Sequence, residues 1–224
     1  IKEINLTLKS GRVPILVGGT GLYIKTLIDG ISNIPKTDKK YKKESENILI
    51  SEGKDAFYKR LKSIEPNLEN IININDTQRL IRLHTVWMQT GKTLLEWQKA
   101  DKFNSKVLNK FIKIRLSPNR DILRSNIKKR FYKMLDNNVM EEVKKIDKFD
   151  LSLPIMKAHG ARELLSVFHN NISIEEAARI TINHTCQYAK RQDTWFKHQY
   201  DADYEIINFN DNIDKYCSNI LSLY

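Results

Sequence analysis

The stretch "PILVGGTGLYIKTL" (residues 14–27) decides the fold class of this chain. Apolar and β-branched residues run from 13 to 17 and predict a buried strand, because such residues suit a pleated, buried surface. Four turn residues follow the predicted strand: Gly18, Gly19, Thr20 and Gly21. Residues 22–28 then show a helical pattern. A strand, a glycine turn and a helix in this order are typical of an α/β unit.

The glycine turn (residues 18–21) raises the question of phosphate binding. No Gly-Lys-Ser/Thr follows these glycines, so they do not form a Walker A loop. Ile24 stands where the dinucleotide-binding fingerprint requires its third glycine. A helix N-terminus nevertheless offers free backbone N–H groups to an anion, and Thr20 adds a hydroxyl. These residues alone leave an anion-binding turn and a purely structural turn as open alternatives.

The composition describes a basic chain of 224 residues with a formal net charge of +11. This length is sufficient to bury a core. The charge favours a polyanionic partner, but a solvated, lysine-rich surface explains it as well. Cys186 and Cys217 form no motif, which fits a reducing cytoplasm. No apolar run reaches the roughly 18 residues of a membrane span, so no membrane partner is expected.

Residues 40–100 have the pattern of consecutive amphipathic helices. "YKKESENILISEG" (41–53) ends at a glycine, and "KDAFYKRLKSI" (54–64) ends before Pro66. "DTQRLIRLHTVWMQTG" (76–91) has Asp76 in an N-cap position and Gly91 in a C-cap position. The sequence therefore predicts a helical insertion domain over residues 36–105.

The remainder returns to an α/β pattern. Strands are predicted at 111–116 and 204–209. Helices are predicted at 117–136 with Pro118 near the first turn, at 141–146, and at 172–196 with a capping box of Ser173 and Glu176. Residues 1–35 and 106–224 are therefore predicted to form an α/β core with C-terminal helices.

Three groups of cationic residues are candidates for polyanion contacts. "QYAKRQDTWFKH" (187–198) places Lys190, Thr194 and Lys197 on one helical face, with Arg191 and Trp195 beside them. The helix at 76–91 carries Gln78, Arg79 and Arg82. The third group contains Arg115, Arg120, Arg124, Lys128, Lys129 and Arg130, one of which could bind a diphosphate. For the first two groups, an ordinary solvated helix with a buried aromatic residue explains the pattern as well.

The sequence contains no motif that indicates a protein-ligated metal site or a hydrolase site. The five histidines form no His-Glu-x-x-His pair and no Cys-His array, so no protein-ligated metal is predicted. No local signature of a Ser-His-Asp nucleophile is present.

Five stretches together, in order along the whole chain, resemble the tRNA dimethylallyltransferases, also called tRNA isopentenyltransferases. They are "GRVPILVGGTGLYIKTLIDG", "NDTQRLIRLHTVWMQTGKT", "RFYKML…EEV", "KAHGARELL" and "AKRQDTWF". This family transfers a dimethylallyl group from dimethylallyl diphosphate to N6 of the adenine 3′-adjacent to the anticodon, in tRNAs that read codons beginning with U. The resemblance implies an α/β fold with a P-loop-NTPase-like parallel-sheet core and a helical insertion domain, and an adenine flipped out of its stack.

The resemblance also implies roles for individual residues. Thr20 matches a threonine at the reacting centre that helps to hold the diphosphate, together with Gly18, Gly19 and Gly21. Arg130 matches an arginine that neutralises charge on the leaving diphosphate. The residues that match tRNA contacts are Lys42, Gln78, Arg79, Arg82, Lys157, Gly160, Arg162, Lys190, Arg191, Gln192, Thr194, Trp195 and Lys197.

Several features depart from the family pattern. The family has a first strand, a P-loop and a general-base aspartate, and this chain is expected to start downstream of all three. The sheet core would then be incomplete, and Mg²⁺ would be held mainly by the substrate diphosphate and the missing P-loop. Lys42 replaces a usual arginine, Asn126 replaces another, and Ala161 stands where an aromatic residue is usual. The expectation is a monomeric cytoplasmic chain that is weak or inactive by itself. The alternatives are a tRNA-binding fragment and the remnant of a disrupted gene.

Overall fold

The computed structural model describes residues 1–99, 102–103, 111–207, 214 and 216–218. The chain forms two compact units. Unit 1 comprises Ile1–Pro14 and Lys25–Leu108, and unit 2 comprises Ile15–Ile24 and Asn109–Tyr224. These divisions fall at different residues from the predicted domains, whose boundaries stay a prediction.

Unit 1 is largely helical in its described part. Its elements are α1 (Lys2–Lys9), β1 (Ile31–Ser32), α3 (Lys39–Glu52), α4 (Lys54–Ile64), a 3-10 helix (Leu68–Asn70), α5 (Thr77–Thr90), α6 (Leu94–Lys99) and β2 (Lys102–Phe103). Its hydrophobic core contains Phe57, Leu61, Leu68, Ile72, Leu80 and Leu83. Strands β1 and β2 pair antiparallel at the two ends of the helical block. The prediction of consecutive helices between residues 40 and 100 is confirmed for the described part.

The helix ends of unit 1 follow the predicted capping chemistry. The Asp76 carboxylate accepts a hydrogen bond from the Arg79 N–H at 3.2 Å, so Asp76 caps the N-terminus of α5. Gly91 ends the same helix in a left-handed conformation with φ of 69°. Gly53 ends α3, and α4 ends at Ile64, just before Pro66. These predictions are confirmed.

Unit 2 combines a small parallel sheet with a helical core. Its elements are β3 (Ile114–Leu116), α7 (Arg120–Asp136), α8 (Val139–Ile146), a 3-10 helix (Pro154–Lys157), α9 (Ala161–Phe168), α10 (Ile174–Gln199) and β4 (Tyr204–Ile206). The core contains Phe131, Val143, Met156, Leu164, Leu165 and Ala178. Strands β3 and β4 pair in parallel, Arg115 lying opposite Glu205. The two predicted strands are therefore confirmed in shorter form, with residues 208–209 outside the described part.

The predicted strand at 13–17 is wrong. These residues form no regular element in the structure, and Ile15 and Val17 are 84% and 92% exposed. A strand takes its hydrogen bonds from a neighbour, and none of the described residues pairs with this segment. The helix after the turn is confirmed as α2 (Gly21–Asp29).

One capping detail of unit 2 differs from the prediction. Asn119 caps α7 by accepting a hydrogen bond from the Asp121 N–H at 2.8 Å, and Pro118 lies directly before this cap, near the first turn as predicted. Ser173 caps α10 by accepting from the Glu176 N–H at 3.2 Å, as predicted. The Glu176 carboxylate, however, pairs with Arg179 at 2.6 and 2.8 Å. An ion pair thus replaces the second half of the capping box.

Unit 1 buries a polar network between α3 and α5. His84 Nδ1 lies 3.0 Å from Ser45 Oγ, and the Thr85 hydroxyl lies 3.2 Å from the same oxygen. All three side chains are buried. The His84 ring also packs against the edge of Phe57, with ring centroids 5.1 Å apart. This environment suits a neutral imidazole because a charge would have to leave water.

We expect the free energy of unfolding of unit 1 to fall as the pH drops from 7 to 5. Burial lowers the pKa of His84 below its ordinary value of 6.5, and the charge of Arg60 lowers it further, against the opposing carboxylates of Glu52 and Glu44. The unfolded chain then binds a proton below pH 6.5 that the folded chain does not. The resulting slope approaches about 1.4 kcal/mol per pH unit. Urea titrations at several pH values measure it, and the His84→Gln variant should lose this slope. An equal slope in both proteins would contradict the expectation.

Candidate functional site

The glycine turn lies at the N-terminus of α2 in unit 2. The Thr20 carbonyl accepts hydrogen bonds from the N–H groups of Tyr23 at 3.0 Å and Ile24 at 3.4 Å, so Thr20 is the residue from which the helix starts. Thr20, Gly18 and Gly19 are exposed, whereas Gly21 is buried. The turn therefore leaves Thr20 exposed at the positive end of the α2 dipole, where an anion is stabilised.

The C-terminal half of α10 contacts the glycine turn. The Gln192 side-chain amide donates a hydrogen bond from Nε2 to the Gly19 carbonyl oxygen at 2.9 Å. The Trp195 ring packs so closely on Gly21 that a Cβ atom at this position would overlap it. Gln192 and Trp195 were predicted to contact tRNA because of the family resemblance. The structure brings both side chains onto the turn.

Arg115 on β3 forms an ion pair with Asp193 on α10 that the sequence patterns did not predict. Arg115 on β3 donates from Nη2 to Asp193 Oδ1 at 2.7 Å and also lies 3.5 Å from the Glu205 carboxylate. The Arg115 side chain is only 13% exposed. These carboxylates bind Arg115, which makes it the least available of the six clustered cations for a diphosphate. Asp193 is the single acidic residue in the basic stretch 187–198, and this isolated acid was the sequence signal for an ion pair with an arginine.

The remaining predicted contacts of α10 face solvent. Lys190, Arg191, Thr194 and Lys197 are all exposed, and they define the outer face of α10. The Arg191 guanidinium lies 5.8 Å from the ring centroid of Tyr188. A cationic face with an aromatic ring can bind phosphates and stack on bases.

The second predicted contact segment, residues 157–162, lies beside α10. The His159 ring packs at a tilt on Tyr188, with ring centroids 5.2 Å apart. Gly160 caps α9 with a left-handed φ of 92°. The Arg162 guanidinium donates to the Leu151 carbonyl oxygen at 3.0 Å, and Lys157 is exposed. Helix packing thus joins two segments that are separate in sequence, a link that spacing alone could not reveal.

In unit 1, two of the predicted tRNA contacts on α5 are exposed to solvent, and a third makes a hydrogen bond within the protein. Gln78 is exposed, and Arg79 is exposed beside the Asp76 cap, 3.2 Å from its carboxylate. Arg82 is half-buried and donates a hydrogen bond to the Thr37 hydroxyl. Lys42 on α3 is exposed and pairs with Glu46 at 3.5 Å.

Arg130 lies on the exposed side of α7. Its neighbour Phe131 is buried in the core of unit 2, and this fixes the helix face from which Arg130 projects. Within the described residues, no side-chain hydrogen bond joins Arg130 to Thr20, so the structure does not show these two predicted site residues bonded to each other.

Metal-binding and membrane-spanning features are absent from the described residues. Among them, no group of three or more His, Cys, Asp or Glu side chains is arranged to hold a metal ion. None of the described helices combines the length and the hydropathy needed to cross a membrane.

Comparisons with known proteins point to one family. The IPP transferase family model matches residues 1–199. A tRNA dimethylallyltransferase of Wolbachia pipientis subsp. Culex pipiens is 37% identical over 201 residues, which is 89% of this chain and 67% of that protein. The crystal structure of a full-length tRNA isopentenylpyrophosphate transferase from Bacillus halodurans is 27% identical with a TM-score of 0.59, over 99% of this chain and 70% of that chain. A eukaryotic dimethylallyltransferase acting on tRNA has the same fold, with a TM-score of 0.74 at 22% identity, over 99% of this chain and 60% of that chain.

Proposed function

Because the chain belongs to the IPP transferase family, we propose that it serves in the prenylation of tRNA. The reaction transfers the dimethylallyl group of dimethylallyl diphosphate to N6 of the adenine 3′-adjacent to the anticodon, in tRNAs that read codons beginning with U. We further propose that the parallel pair β3–β4 belongs to a P-loop-NTPase-like core. The monomeric, cytoplasmic setting expected from the sequence is part of the same proposal.

The glycine turn is the proposed diphosphate site. In the transfer, the adenine N6 forms a bond to the allylic carbon while the bond from that carbon to the diphosphate oxygen breaks. The electron pair of the broken bond leaves with the diphosphate, and N6 passes a proton to a general base, a role that the family resemblance gives to an aspartate outside these 224 residues. Thr20 and the N-terminus of α2 would hold the leaving anion, and the Arg130 guanidinium would neutralise its developing charge. Charge stabilisation at the leaving group lowers the barrier of the bond-breaking step.

The proposed RNA-binding surface includes the outer face of α10 and the adjacent segment 157–162. Exposed cations can neutralise phosphates of the anticodon stem-loop, and the contact between the His159 and Tyr188 rings joins the two segments. In unit 1, Gln78, Arg79 and Lys42 are the exposed candidates. The surface positions the RNA backbone, whereas base identity is read by other contacts.

Mg²⁺ enters this proposal only with the substrate. The described residues offer no acidic or histidine cluster that fits the ion, so no step of the transfer is assigned to it. A magnesium ion bound to the diphosphate would partly neutralise the anion before the turn accepts it.

One observation carries the proposal. A single helix, α10, binds the glycine turn through Gln192 and Trp195 and presents cations to solvent on its outer face. One element would therefore support the proposed diphosphate site and also present cations to the phosphates of the RNA. The same cationic face favours a second candidate function, RNA binding without catalysis.

We expect a polypeptide of these 224 residues by itself to show little or no transfer. The family resemblance requires a P-loop and a general-base aspartate, and the sequence from residue 1 to 224 contains no Gly-x-x-x-x-Gly-Lys-Ser/Thr loop. Loss of a general base alone costs about 10²- to 10⁴-fold in rate. The measurement is prenylation of an anticodon stem-loop RNA with dimethylallyl diphosphate, with a full-length relative as positive control. Turnover comparable to that relative would show that the chain needs neither element. Absent transfer with retained RNA binding is the outcome expected for these 224 residues, and loss of both would contradict the two candidate functions alike.

A further inference from the structure

We propose that Gln192 and Trp195 are positioning residues that fix the shape of the glycine turn for its anion. This inference rests on the proposed function of the turn as a diphosphate site. It assigns the two side chains to the turn and separates them from the exposed residues Lys190, Arg191, Thr194 and Lys197 of the same helix segment.

The Gln192 hydrogen bond fixes the direction of one backbone N–H group. Its Nε2 donates to the Gly19 carbonyl oxygen at 2.9 Å. In a trans peptide the C=O of one residue and the N–H of the next point in opposite directions, and the described residues contain no cis peptide bond. The Gly19 carbonyl therefore points towards α10, and the Thr20 N–H points away from it. A turn binds an anion only when its N–H groups converge outward, so Gln192 holds the peptide in the binding orientation.

The same hydrogen bond also keeps the partial negative charge of the Gly19 carbonyl oxygen away from the anion site. A carbonyl oxygen carries partial negative charge and would repel a diphosphate if the peptide rotated. Gln192 satisfies this oxygen on the side facing α10. A Cβ atom at position 19 would overlap the Gln192 side-chain amide, so a larger residue here would require this flexible amide to move away from the Gly19 carbonyl.

Trp195 acts on the next residue of the turn. Its ring covers Gly21, the first residue of α2, and this glycine is buried although Thr20 beside it is exposed. The ring therefore shields one side of the helix N-terminus from water and leaves the Thr20 side open. Shielding of this kind strengthens the interaction of the helix N–H groups with an anion.

Burial separates these two residues from the cationic face. Gln192 and Trp195 are half-buried, and their i, i+3 spacing places them on one side of α10 with the half-buried Phe196. The exposed residues Lys190, Thr194 and Lys197 share a different side. The Gly19 carbonyl uses one of the two amide N–H groups of Gln192, so a direct RNA contact would have to come from the second N–H or from Oε1 of this half-buried side chain.

The first test measures the turn itself. Amide hydrogen exchange of a peptide covering residues 17–24 is compared in the parent chain, Gln192→Ala and Gln187→Ala. Gln187 is an exposed glutamine on the same helix, and it serves as the matched control. The protected amides of this peptide are those of Tyr23 and Ile24, which donate to the Thr20 carbonyl. We expect their exchange to be about three- to tenfold faster in Gln192→Ala, because the turn before them loosens, and unchanged in Gln187→Ala. Equal exchange in all three proteins overturns the inference.

The second test uses inorganic pyrophosphate as the ligand. Trp195 becomes the only tryptophan after Trp87→Phe and Trp97→Phe, so its fluorescence reports binding at the turn. Gln192→Ala should weaken pyrophosphate binding by about three- to tenfold and leave stem-loop RNA affinity within about twofold. The opposite result, unchanged pyrophosphate binding with weakened RNA binding, overturns the inference and makes Gln192 an RNA contact.

A size-compensation pair tests Trp195 separately. Gly21→Ala places a methyl group where the ring lies, so it should impair pyrophosphate binding and accelerate turn exchange. Adding Trp195→Leu should recover part of both losses because it removes the overlapping ring. Pyrophosphate binding of these variants is measured by titration calorimetry, since Trp195→Leu removes the fluorescent reporter. The absence of any recovery contradicts the assignment of Trp195 to the turn.

The same experiments separate this inference from the proposed function. A parent chain that fails to bind pyrophosphate, combined with a turn that loosens in Gln192→Ala, rejects the diphosphate site and with it the anion-binding purpose of Gln192. A parent chain that binds pyrophosphate equally well with and without Gln192 keeps the diphosphate site and rejects the positioning role.

Discussion

Combined replacement of Lys190, Arg191 and Lys197 by glutamine should abolish most of the affinity for an anticodon stem-loop RNA. All three side chains are exposed on the outer face of α10. Each cation that neutralises a phosphate releases counterions from the RNA, so three lost contacts reduce the slope of log K against log salt by about 2. At 0.1 M salt this corresponds to roughly 100-fold weaker binding. Fluorescence anisotropy of a labelled stem-loop over a salt series measures both quantities.

A control variant tests whether position or net charge is responsible. Replacing Lys144, Lys145 and Lys148 by glutamine removes the same three charges from exposed positions of unit 2. General attraction between a basic chain and RNA would lower affinity equally in both variants. A specific surface on α10 predicts a large loss in the first variant and a small one in the control. Equal losses would contradict the proposed surface.

The helices of this chain could be predicted because their signals are local. Asp76, Gly91 and Ser173 act as caps within one turn of the chain, and the structure confirms each of them. A cap depends on a side chain and backbone groups two or three residues away, so the sequence window contains both partners. The second half of the capping box failed because Arg179 competes for the Glu176 carboxylate.

The strand predicted at 13–17 failed because a strand is not a local structure. Its apolar, β-branched residues suit a buried strand, yet Val17 is 92% exposed in the structure. A strand forms only where another strand accepts and donates its backbone hydrogen bonds, and residue pattern alone does not identify that neighbour. The strands at 114–116 and 204–206 formed because each provides the partner of the other.

In the candidate site too, local features could be predicted from the sequence and long-range contacts could not. Helical spacing correctly placed Lys190, Thr194 and Lys197 on one exposed face. It could not show that Gln192 binds the Gly19 carbonyl, because 173 residues separate the two in sequence. The informative signal was the glycine content of the turn, which permits close approach by another element.

The largest expected effect on stability comes from Phe131→Ala in unit 2. Phe131 is 4% exposed and lies in the core cluster with Val143, Met156 and Leu164. Removal of a buried aromatic ring costs the lost burial and leaves a cavity, together about 3–5 kcal/mol. This is a large fraction of the stability of an ordinary domain, about 5–15 kcal/mol. Urea unfolding in the Trp87→Phe, Trp97→Phe background, followed through the remaining Trp195, measures the change in unit 2.

Phe149→Ala is the matched control because Phe149 has the same side chain in the same unit but is 42% exposed. Its removal creates no enclosed cavity and should cost less than about 1 kcal/mol. A conservative Phe131→Leu variant should fall between the two, since it keeps most of the buried volume. Phe131→Ala should also weaken pyrophosphate binding by Arg130, because the buried ring fixes the helix face from which Arg130 projects. Equal stabilities of Phe131→Ala and Phe149→Ala would contradict the assigned core.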